Sequence, residues 1–308
     1  MKETCWVLAG PTASGKTALA LRLAQAHHCE IVCMDSMQIY RSMDIGTAKP
    51  TPAEQSLVPH HMVDIVEPTE VYSVARYQEE AEACIRDIHR RGHRALLVGG
   101  TGLYLRALRH PMAMGEAAGD PAFRQQLETL AQTDLGRDDL HARLEAVDPL
   151  SAQRIHRNNV RRVIRALEVF HLTGTPFSEQ PQPEEEVPFL YRVASLTMDR
   201  ELLYRRIEQR VDQMMADGLV DEVRRLLAQG VPEKAQAMMG LGYKELIPFL
   251  HGECTLDLAV AALKQGTRHY AKRQMTWMRR EEDVFWVDSL ADDAYEQLES
   301  WYTRGEQA

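Results

Sequence analysis

Several common sequence features are missing or scarce in this chain of 308 residues. No apolar run approaches the roughly 20 residues that cross a bilayer, so we expect no membrane-spanning helix. The five cysteines are scattered and form no CxxC pair, which disfavours a zinc site and favours buried reduced thiols. The chain starts MKETCWVLAG and reaches a glycine-rich loop at once, so we expect no signal or transit peptide and a cytoplasmic protein.

Basic residues are outnumbered by acidic ones, 36 Lys and Arg against 45 Asp and Glu, so the formal net charge is −9. A uniformly acidic surface would disfavour nucleic acid as a partner. The basic residues are concentrated, however. Residues 151–170 carry five arginines against one acid, and residues 264–280 carry six lysines and arginines with no acid. Charge that is segregated in this way can form a basic surface, so a polyanionic partner remains open.

Short apolar runs and helical patterns alternate over the first hundred residues. Candidate helices start after Gly15, near Ser73 and after Gly102, and the candidate strands are TCWVLAG, EIVCMD, HMVDI and RALLVGG. Later strand signals are FLYRVASLTM and VFWVD. This alternation predicts an α/β fold, a parallel sheet joined by crossover helices. No internal repeat is evident.

The pattern changes after residue 108. The stretch HPMAMGEAAGDP is rich in proline and glycine, the following seventy residues or so have helical periodicity, and GTPFSEQPQPEEEVP reads as an acidic loop. We therefore predict a helical insertion at residues 112–188. Residues 1–111 and 189–308 then form the α/β core with its C-terminal helices.

The stretch GPTASGKT matches the phosphate-loop pattern G-x4-G-K-[ST], and it lies between a candidate strand and a candidate helix. Its backbone N–H groups and the helix N-terminus can hold phosphate oxygens, and its lysine adds a mobile charge. The hydroxyl of Thr17 can ligate Mg²⁺. The predicted phosphate-binding residues are Gly10, Pro11, Thr12, Ala13, Ser14, Gly15, Lys16 and Thr17.

One usual companion of this loop is absent. NTPases commonly have an apolar strand that ends in Asp, which helps to hold Mg²⁺. Here the strand RALLVGG ends in glycines and Thr101, and the nearest acid at a strand end is Asp35. Strand ends of an open α/β sheet face the ligand crevice, so Asp35 is expected beside the loop. It could act as a general base, support a metal ion or cap a helix.

The motifs DSMQIYRSMDIGTAKPT, VGGTGLYLRAL, RNNVRRVIRALEVF, RIEQRVDQMMADGLVDEV, GLGYKEL and YAKRQMTWMRR accompany the loop in this order. Together they resemble the tRNA dimethylallyltransferase family over nearly the whole chain. The resemblance implies a P-loop NTPase-like core with a helical insertion. It also implies transfer of a dimethylallyl group from dimethylallyl diphosphate to the N6 amine of the adenine 3′ of the anticodon. The loop would then bind the departing diphosphate, which accounts for the missing acid.

The resemblance implies roles for several residues near the loop. Asp35 matches the family's proposed base for the adenine amine. Arg210 matches an arginine associated with the diphosphate, and Arg206 lies one helical turn earlier. Thr101 resembles a residue that touches the tRNA near the reacting nucleotide. The alternatives are solvated arginines on an amphipathic helix and a helix N-cap at Thr101, a role that is compatible with tRNA contact.

The resemblance also implies a set of tRNA contacts. The alternative for the arginines is a solvated basic helix face, and the alternative for residues 239–244 is a plain loop. Trp277 lies in a basic stretch that could follow the phosphate backbone, and its alternative is a core position. The family pattern departs at Arg157 and Asn159, where many relatives have Pro and Asp. The implied contacts are Asp35, Ser36, Met37, Gln38, Thr101, Arg124, Arg161, Arg162, Val163, Ile164, Arg165, Met239, Gly240, Leu241, Gly242, Tyr243 and Lys244.

Two other functions remain open at this point. A small-molecule kinase would use ATP in the same loop, and an RNA-binding switch protein would sense a nucleotide without covalent chemistry. The cysteine count excludes the C-terminal zinc finger of eukaryotic relatives, which favours the bacterial type. Mg²⁺ is the expected cofactor, tRNA and dimethylallyl diphosphate are the expected partners, and a monomer suffices for the reaction.

Overall fold

The computed structural model describes residues 2–110, 119–180 and 186–304. Its strands are β1 (Thr4–Ala9), β2 (Cys29–Met34), β3 (His60–His61), β4 (Arg94–Gly99), β5 (Leu190–Thr197) and β6 (Val284–Asp288). Its helices are α1 (Lys16–His27), α2 (Pro52–Leu57), α3 (Val74–Arg90), α4 (Gly102–Arg109), α5 (Pro121–Leu130), α6 (Asp134–Val147), α7 (Pro149–Arg154), α8 (Val160–Thr173), α9 (Arg200–Ala216), α10 (Leu219–Ala228), α11 (Ile247–Leu250), α12 (Leu256–Met278) and α13 (Ala294–Thr303). Short 3-10 turns lie at Phe177–Glu179 and Ala237–Met239.

The strands form one six-stranded sheet in the order β3-β2-β4-β1-β5-β6, and every pair is parallel. Strands β1 and β2 are almost wholly buried, as expected for strands covered on both faces. One face packs against α3, α4 and α10, and the other packs against α1 and α13. The predicted α/β fold with a parallel sheet is confirmed.

The third strand is much shorter than predicted. The sequence HMVDI indicates a strand over residues 61–65, but only His60 and His61 pair with β2. Met62 and Asp64 adopt positive φ angles of 61° and 55°, which a strand does not allow. The backbone there bonds instead to the turn after β2, since the N–H of Asp64 donates to the carbonyl oxygen of Gln38 over 3.2 Å. Long-range hydrogen bonding therefore overrides the local strand propensity.

The chain divides into two compact units, one formed by Met1–His110 with Val187–Ala308 and the other by Pro111–Glu186. The sequence places the insertion at 112–188. Residues 111–118 and 181–185, which hold most of the two predicted junctions, lie outside the described residues.

The second unit is helical throughout its described part, with α5, α6, α7 and α8 around a small apolar core. Asp120, Thr133 and Asp148 cap the starts of α5, α6 and α7 with their side chains. Asn159 precedes α8 but makes no such bond. Across residues 2–110, 119–180 and 186–304, no helix has the length and apolar character needed to span a membrane.

Candidate active site

Three segments that carry predicted site residues follow neighbouring strands. The order β2-β4-β1 places the residues after these strands next to one another: Asp35, Thr101 and the phosphate loop of residues 10–17. The ends of β2 and β4 approach so closely that a Cβ on Gly99 would lie 2.0 Å from the carbonyl oxygen of Met34. Ligands of open α/β sheets bind at this carboxyl edge. Sheet topology therefore assembles the candidate site.

The phosphate loop has the backbone that its glycines predict. Gly10 and Gly15 have φ angles of 146° and 89°, and even Ala13 is left-handed at 63°. The hydroxyl of Ser14 is buried, and it finds no hydrogen-bond partner among the described residues. A buried polar group without a partner is costly unless a ligand or water satisfies it. The loop is therefore built to receive a polar ligand.

Lys16 is the first residue of α1, and its side chain folds back over the loop. Its Nζ donates to the carbonyl oxygens of Gly10 and Pro11 over 2.9 and 2.7 Å. Burial of the ammonium group and the charge of Arg210 together lower the pKa of Lys16 to about 7, and the charge of Asp35 partly opposes them. An anion bound in the loop would restore the charged form, since opposite charge favours it.

Asp35 follows β2 directly and starts a turn. Its Oδ1 accepts a hydrogen bond from the N–H of Met37 over 2.8 Å. Burial is the largest effect and raises the pKa of Asp35 above its usual range. The Met37 N–H and the charges of Lys16 and Arg210 partly oppose that rise. A carboxylate with a raised pKa beside two cations suits a general base.

Arg206 and Arg210 reach the site from α9. This helix packs through Leu203 and Ile207 against Ala13 of the loop. A Cβ built on Gly15 would lie 3.9 Å from the Arg206 guanidinium, which places that group beside the loop. Burial lowers the pKa of Arg210, and Asp35 partly restores it. Arg210 is thus withdrawn from water, unlike an arginine on a solvated helix face.

Thr101 connects the ends of β4 and β2. It occupies the N-cap position of α4, but its side chain makes no capping bond. Its Oγ1 instead accepts from the N–H of Ser36 over 3.1 Å. The Thr101 hydroxyl therefore fixes the start of the turn that carries Asp35.

The next two residues of this turn are held by protein contacts. The Gln38 amide donates to the carbonyl oxygens of Thr47 and Ala48 over 3.2 and 3.1 Å, and its oxygen accepts from the Cys33 thiol. Met37 packs so tightly on Gly240 that a Cβ there would lie 2.4 Å from the Met37 Cε. In this structure the Gln38 side chain supports the loop of residues 44–48, and an adenine edge would have to displace these partners.

The stretch Met239–Lys244 is only partly accessible. Met239 and Lys244 are exposed, Leu241 is half-buried, and the two glycines are buried. Tyr243 is 0% exposed, and its hydroxyl donates to Glu222 over 2.7 Å. The Tyr243 ring therefore has no surface for RNA. It packs instead against the loop of residues 44–46, where a Cβ on Gly46 would lie 2.6 Å from the ring.

The predicted arginines of the insertion have two different environments. Arg124 and Arg165 both bind Glu168, at 2.7 and 2.8 Å, and that carboxylate is 0% exposed. Arg161 and Arg162 are exposed on α8 and have no ion pair among the residues described. Arg161 and Arg162 therefore offer their charge to a polyanion more openly than the two arginines that share Glu168.

Two neighbours on α8 lie in the interior. Val163 and Ile164, predicted as tRNA contacts, are 1% and 3% exposed and fill the core of the insertion. Their side chains are therefore not available to RNA. Arg157, which departs from the family pattern, pairs with Asp138 and lies 3.8 Å from Asp134.

Sequence reasoning missed two buried side chains. Gln274 lies on α12, where its Oε1 accepts from the N–H of Thr12 over 2.9 Å. Glu222 lies on α10 and accepts from three consecutive backbone N–H groups, those of residues 44–46. The only local signal was a polar residue on the apolar face of each helix.

A basic groove of about 410 Å³ runs along the outer face of α12. Trp277 belongs to this lining and also packs on the core, where a Cβ on Gly102 would lie 2.8 Å from it. A groove with this lining suits a phosphate backbone. Its lining residues are His269, Lys272, Arg273, Thr276, Trp277 and Arg280.

Known proteins resemble this chain closely. The family model described as IPP transferase matches residues 38–281, and the model described as isopentenyl transferase matches residues 3–62. A tRNA dimethylallyltransferase of Geobacter metallireducens is 51% identical, with 92% of this chain and 91% of that protein covered. The one of Carboxydothermus hydrogenoformans is 47% identical, with 94% and 93% covered.

Solved structures agree with these sequences. A tRNA isopentenylpyrophosphate transferase from Bacillus halodurans is 40% identical, with a TM-score of 0.72 over 99% of this chain and 100% of that one. A eukaryotic dimethylallyltransferase acting on tRNA is 31% identical, with a TM-score of 0.78 over 99% of this chain and 77% of that one.

Proposed function

The chain belongs to the tRNA dimethylallyltransferase family, and we propose that it transfers the dimethylallyl group of dimethylallyl diphosphate to the N6 amine of the adenine 3′ of the anticodon in tRNA. One observation carries the proposal: the phosphate loop, Asp35 and Thr101 follow three adjacent parallel strands. The names of the relatives also favour this reaction over a small-molecule kinase or an RNA-binding switch protein. We expect the reaction to occur in the cytoplasm, where tRNA is found.

Asp35 is the proposed general base. The lone pair of an exocyclic adenine amine is delocalised into the ring, so the amine is a weak nucleophile. As the N6–carbon bond forms, the carboxylate of Asp35 takes the N6 proton while the allylic carbon–oxygen bond breaks and diphosphate leaves. The adenine must leave its stack to reach Asp35. Residues 35–38 and the exposed Met239 and Lys244 are the proposed surroundings of the adenine, with Thr101 holding the turn.

The diphosphate is the proposed ligand of the loop. Negative charge grows on it as the carbon–oxygen bond breaks, and fixed donors aimed at that charge accelerate such a step. N–H groups from Ala13 to Thr17, the Ser14 hydroxyl, Lys16, Arg206 and Arg210 are the proposed donors. The buried, unpartnered Ser14 hydroxyl supports a polar ligand at this place.

Mg²⁺ is the proposed cofactor, with Thr17 as its protein ligand. Among the described residues no group of three or more His, Cys, Asp or Glu could hold a metal ion. Mg²⁺ commonly takes one or two protein ligands beside water and substrate phosphates, and Thr17 is exposed at the start of α1, so the residues present fit. When bound, the ion would neutralise charge on the diphosphate.

We propose that one copy of the chain suffices. The loop, Asp35, Thr101 and Arg210 all belong to the unit formed by residues 1–110 and 187–308. The exposed Arg161 and Arg162 of the insertion and the groove along α12 are the proposed contacts to the tRNA backbone.

The first test combines activity with one substitution. Purified protein is incubated with Mg²⁺, unmodified tRNA and dimethylallyl diphosphate, and its nucleosides are analysed by mass spectrometry. The wild type should produce prenylated adenosine, and Asp35→Asn should lower kcat by about 10²–10⁴-fold because the base is lost. Binding of tRNA should be largely preserved.

Asp292→Asn, an exposed aspartate that follows the outermost strand β6, is the matched control and should retain wild-type turnover. Loss of tRNA binding together with turnover in Asp35→Asn would mean that Asp35 supports binding or folding instead. No prenylated adenosine from the wild type, with ATP turnover on another acceptor, would overturn the function.

A further inference from the structure

Helix α12 has two chemically different faces. Its outer face carries the basic groove defined above. Its inner face is apolar at Ala271 and Met278, which are buried, yet Gln274 lies between them and is only 4% exposed. A buried amide on an apolar face needs hydrogen-bond partners to offset its loss of water. The partners of Gln274 therefore show what this residue does.

Both ends of the Gln274 amide bond backbone groups of the candidate site. The Oε1 accepts from the N–H of Thr12 over 2.9 Å, and the Nε2 donates to the carbonyl oxygen of Gly100 over 3.2 Å. A Cβ on Gly100 would lie 1.9 Å from Nε2, so only glycine allows the amide to enter. One side chain thus links the phosphate loop after β1 to the end of β4.

A second residue of α12 extends this link. Tyr270 lies one helical turn before Gln274, on the same face. Burial raises the pKa of Tyr270 above its usual range, the charge of Asp35 adds to that rise, and hydrogen bonds with Thr101 and Gln274 partly offset it. The inner face of α12 therefore reaches both the phosphate loop and the Thr101 segment.

We propose that Gln274 is a positioning residue that fixes the phosphate loop against the end of β4 and so sets where the diphosphate binds. An amide of this length can accept from one backbone group and donate to another without adding charge. Since Gln274 occupies the N–H of Thr12, the diphosphate is held by N–H groups from Ala13 onwards. This inference rests on the proposed function for the identity of the ligand.

The test separates the two hydrogen bonds. Gln274→Met keeps the side-chain volume but removes both bonds, and Gln274→Glu keeps an acceptor for Thr12 while placing a negative charge beside the loop. Gln265→Met, an exposed glutamine on the same helix, is the matched control. Calorimetry measures the Kd of inorganic diphosphate, and steady-state kinetics gives kcat and the KM values for dimethylallyl diphosphate and tRNA.

We expect Gln274→Met to weaken diphosphate binding and to raise the KM for dimethylallyl diphosphate, each by about tenfold, from loss of a typical hydrogen bond. Gln274→Glu should weaken diphosphate binding and raise the KM for dimethylallyl diphosphate still further, because its negative charge repels the ligand. If Gln274→Met does not fold, the result for Gln274→Glu tests the proposal. The KM for tRNA and the behaviour of Gln265→Met should stay within about twofold of the wild type.

Wild-type diphosphate affinity in both Gln274 variants would overturn the proposal, whether or not their melting temperatures fall. Equal rises in the KM of both substrates would also overturn it, since the loop would then have no special dependence on Gln274. A wild type that binds diphosphate but does not prenylate tRNA would refute the proposed function and leave this inference standing.

Discussion

At the scale of single residues, the site is a small set of half-buried charges that influence one another's pKa. Lys16, Arg210 and Asp35 are all partly withdrawn from water; Asp35 shifts the pKa of both cations, and both cations shift the pKa of Asp35. Burial disfavours the charged form of every member, and it lowers the pKa of Lys16 to about 7. A bound diphosphate would shift that balance towards the cations.

Diphosphate binding should therefore depend on pH through Lys16, whose pKa is about 7. A bound anion raises this pKa, so the complex keeps a proton that the free protein releases above pH 7. By linkage the affinity falls as the pH rises, by at most about tenfold per pH unit, until the raised pKa is passed. Calorimetric Kd values for dimethylallyl diphosphate from about pH 7 to about pH 9 measure this fall in affinity. A phosphate group, with a second pKa near 6, is already ionised in this range, so the ligand's own titration does not cause the change.

Lys16→Arg is the control, since its charge persists across this range and its affinity should not vary with pH. A wild-type Kd that is constant from about pH 7 to about pH 9 would contradict the prediction, because it would mean that Lys16 is charged in the free protein throughout.

At the scale of elements, one buried carboxylate organises the loop that supports the Asp35 turn. Glu222 is 1% exposed and accepts from the N–H groups of residues 44–46 at 2.9–3.1 Å and from the Tyr243 hydroxyl. The same loop gives two carbonyl oxygens to Gln38. Helix α10 is thus connected to the Asp35 turn through a chain of hydrogen bonds as well as through the apolar core.

Glu222→Gln should lower kcat by about tenfold, since an amide cannot accept from all four donors and the turn loses its support. The KM for dimethylallyl diphosphate should change little, because the phosphate loop is not involved. The free energy of unfolding should fall by about 1–3 kcal/mol, as for a buried donor left unpaired. Steady-state kinetics measures kcat and KM, and denaturant titration measures the free energy of unfolding.

Asp221→Asn, the exposed neighbour on α10, is the matched control and should match the wild type in both measurements. If Glu222→Gln lost stability but kept the wild-type kcat, the carboxylate would be structural and would not position the catalytic turn.

At the scale of the whole molecule, the net charge of −9 conceals a separation of charge within each unit. The first unit has the basic groove along α12. In the insertion, Arg124 and Arg165 share the single negative charge of Glu168, while Arg161 and Arg162 are exposed with no ion pair among the described residues. Affinity for tRNA should then depend on a few arginines that the overall composition does not reveal.

Replacing Arg161 and Arg162 by Ala should weaken tRNA binding and flatten its salt dependence by about one to two units of slope, because fewer counterions are released. Arg90 and Arg224, exposed on α3 and α10, supply a double-alanine control with the same change of charge. Binding isotherms at several salt concentrations measure the slopes. An unchanged slope in the α8 variant, or an equal loss in the control, would place the tRNA footprint elsewhere.

The features that can be predicted from the sequence are those that depend on residues close together in the chain. The phosphate loop, the six strand signals and the family follow from local periodicity and motif order, because these record what neighbouring residues do together. Asp35, Thr101 and Lys16 could be named for the same reason, since strand ends of a parallel sheet share one edge.

The hydrogen-bond partners of residues that are far apart in the sequence are known only from the tertiary structure. Thr12 and Gln274 are 262 positions apart, and Glu222 meets the loop of residues 44–46 from α10. The same contacts bury Tyr243, occupy the Gln38 amide and shorten β3. No local pattern encodes these outcomes, because a buried polar group takes whichever partner the packed chain brings within hydrogen-bonding distance.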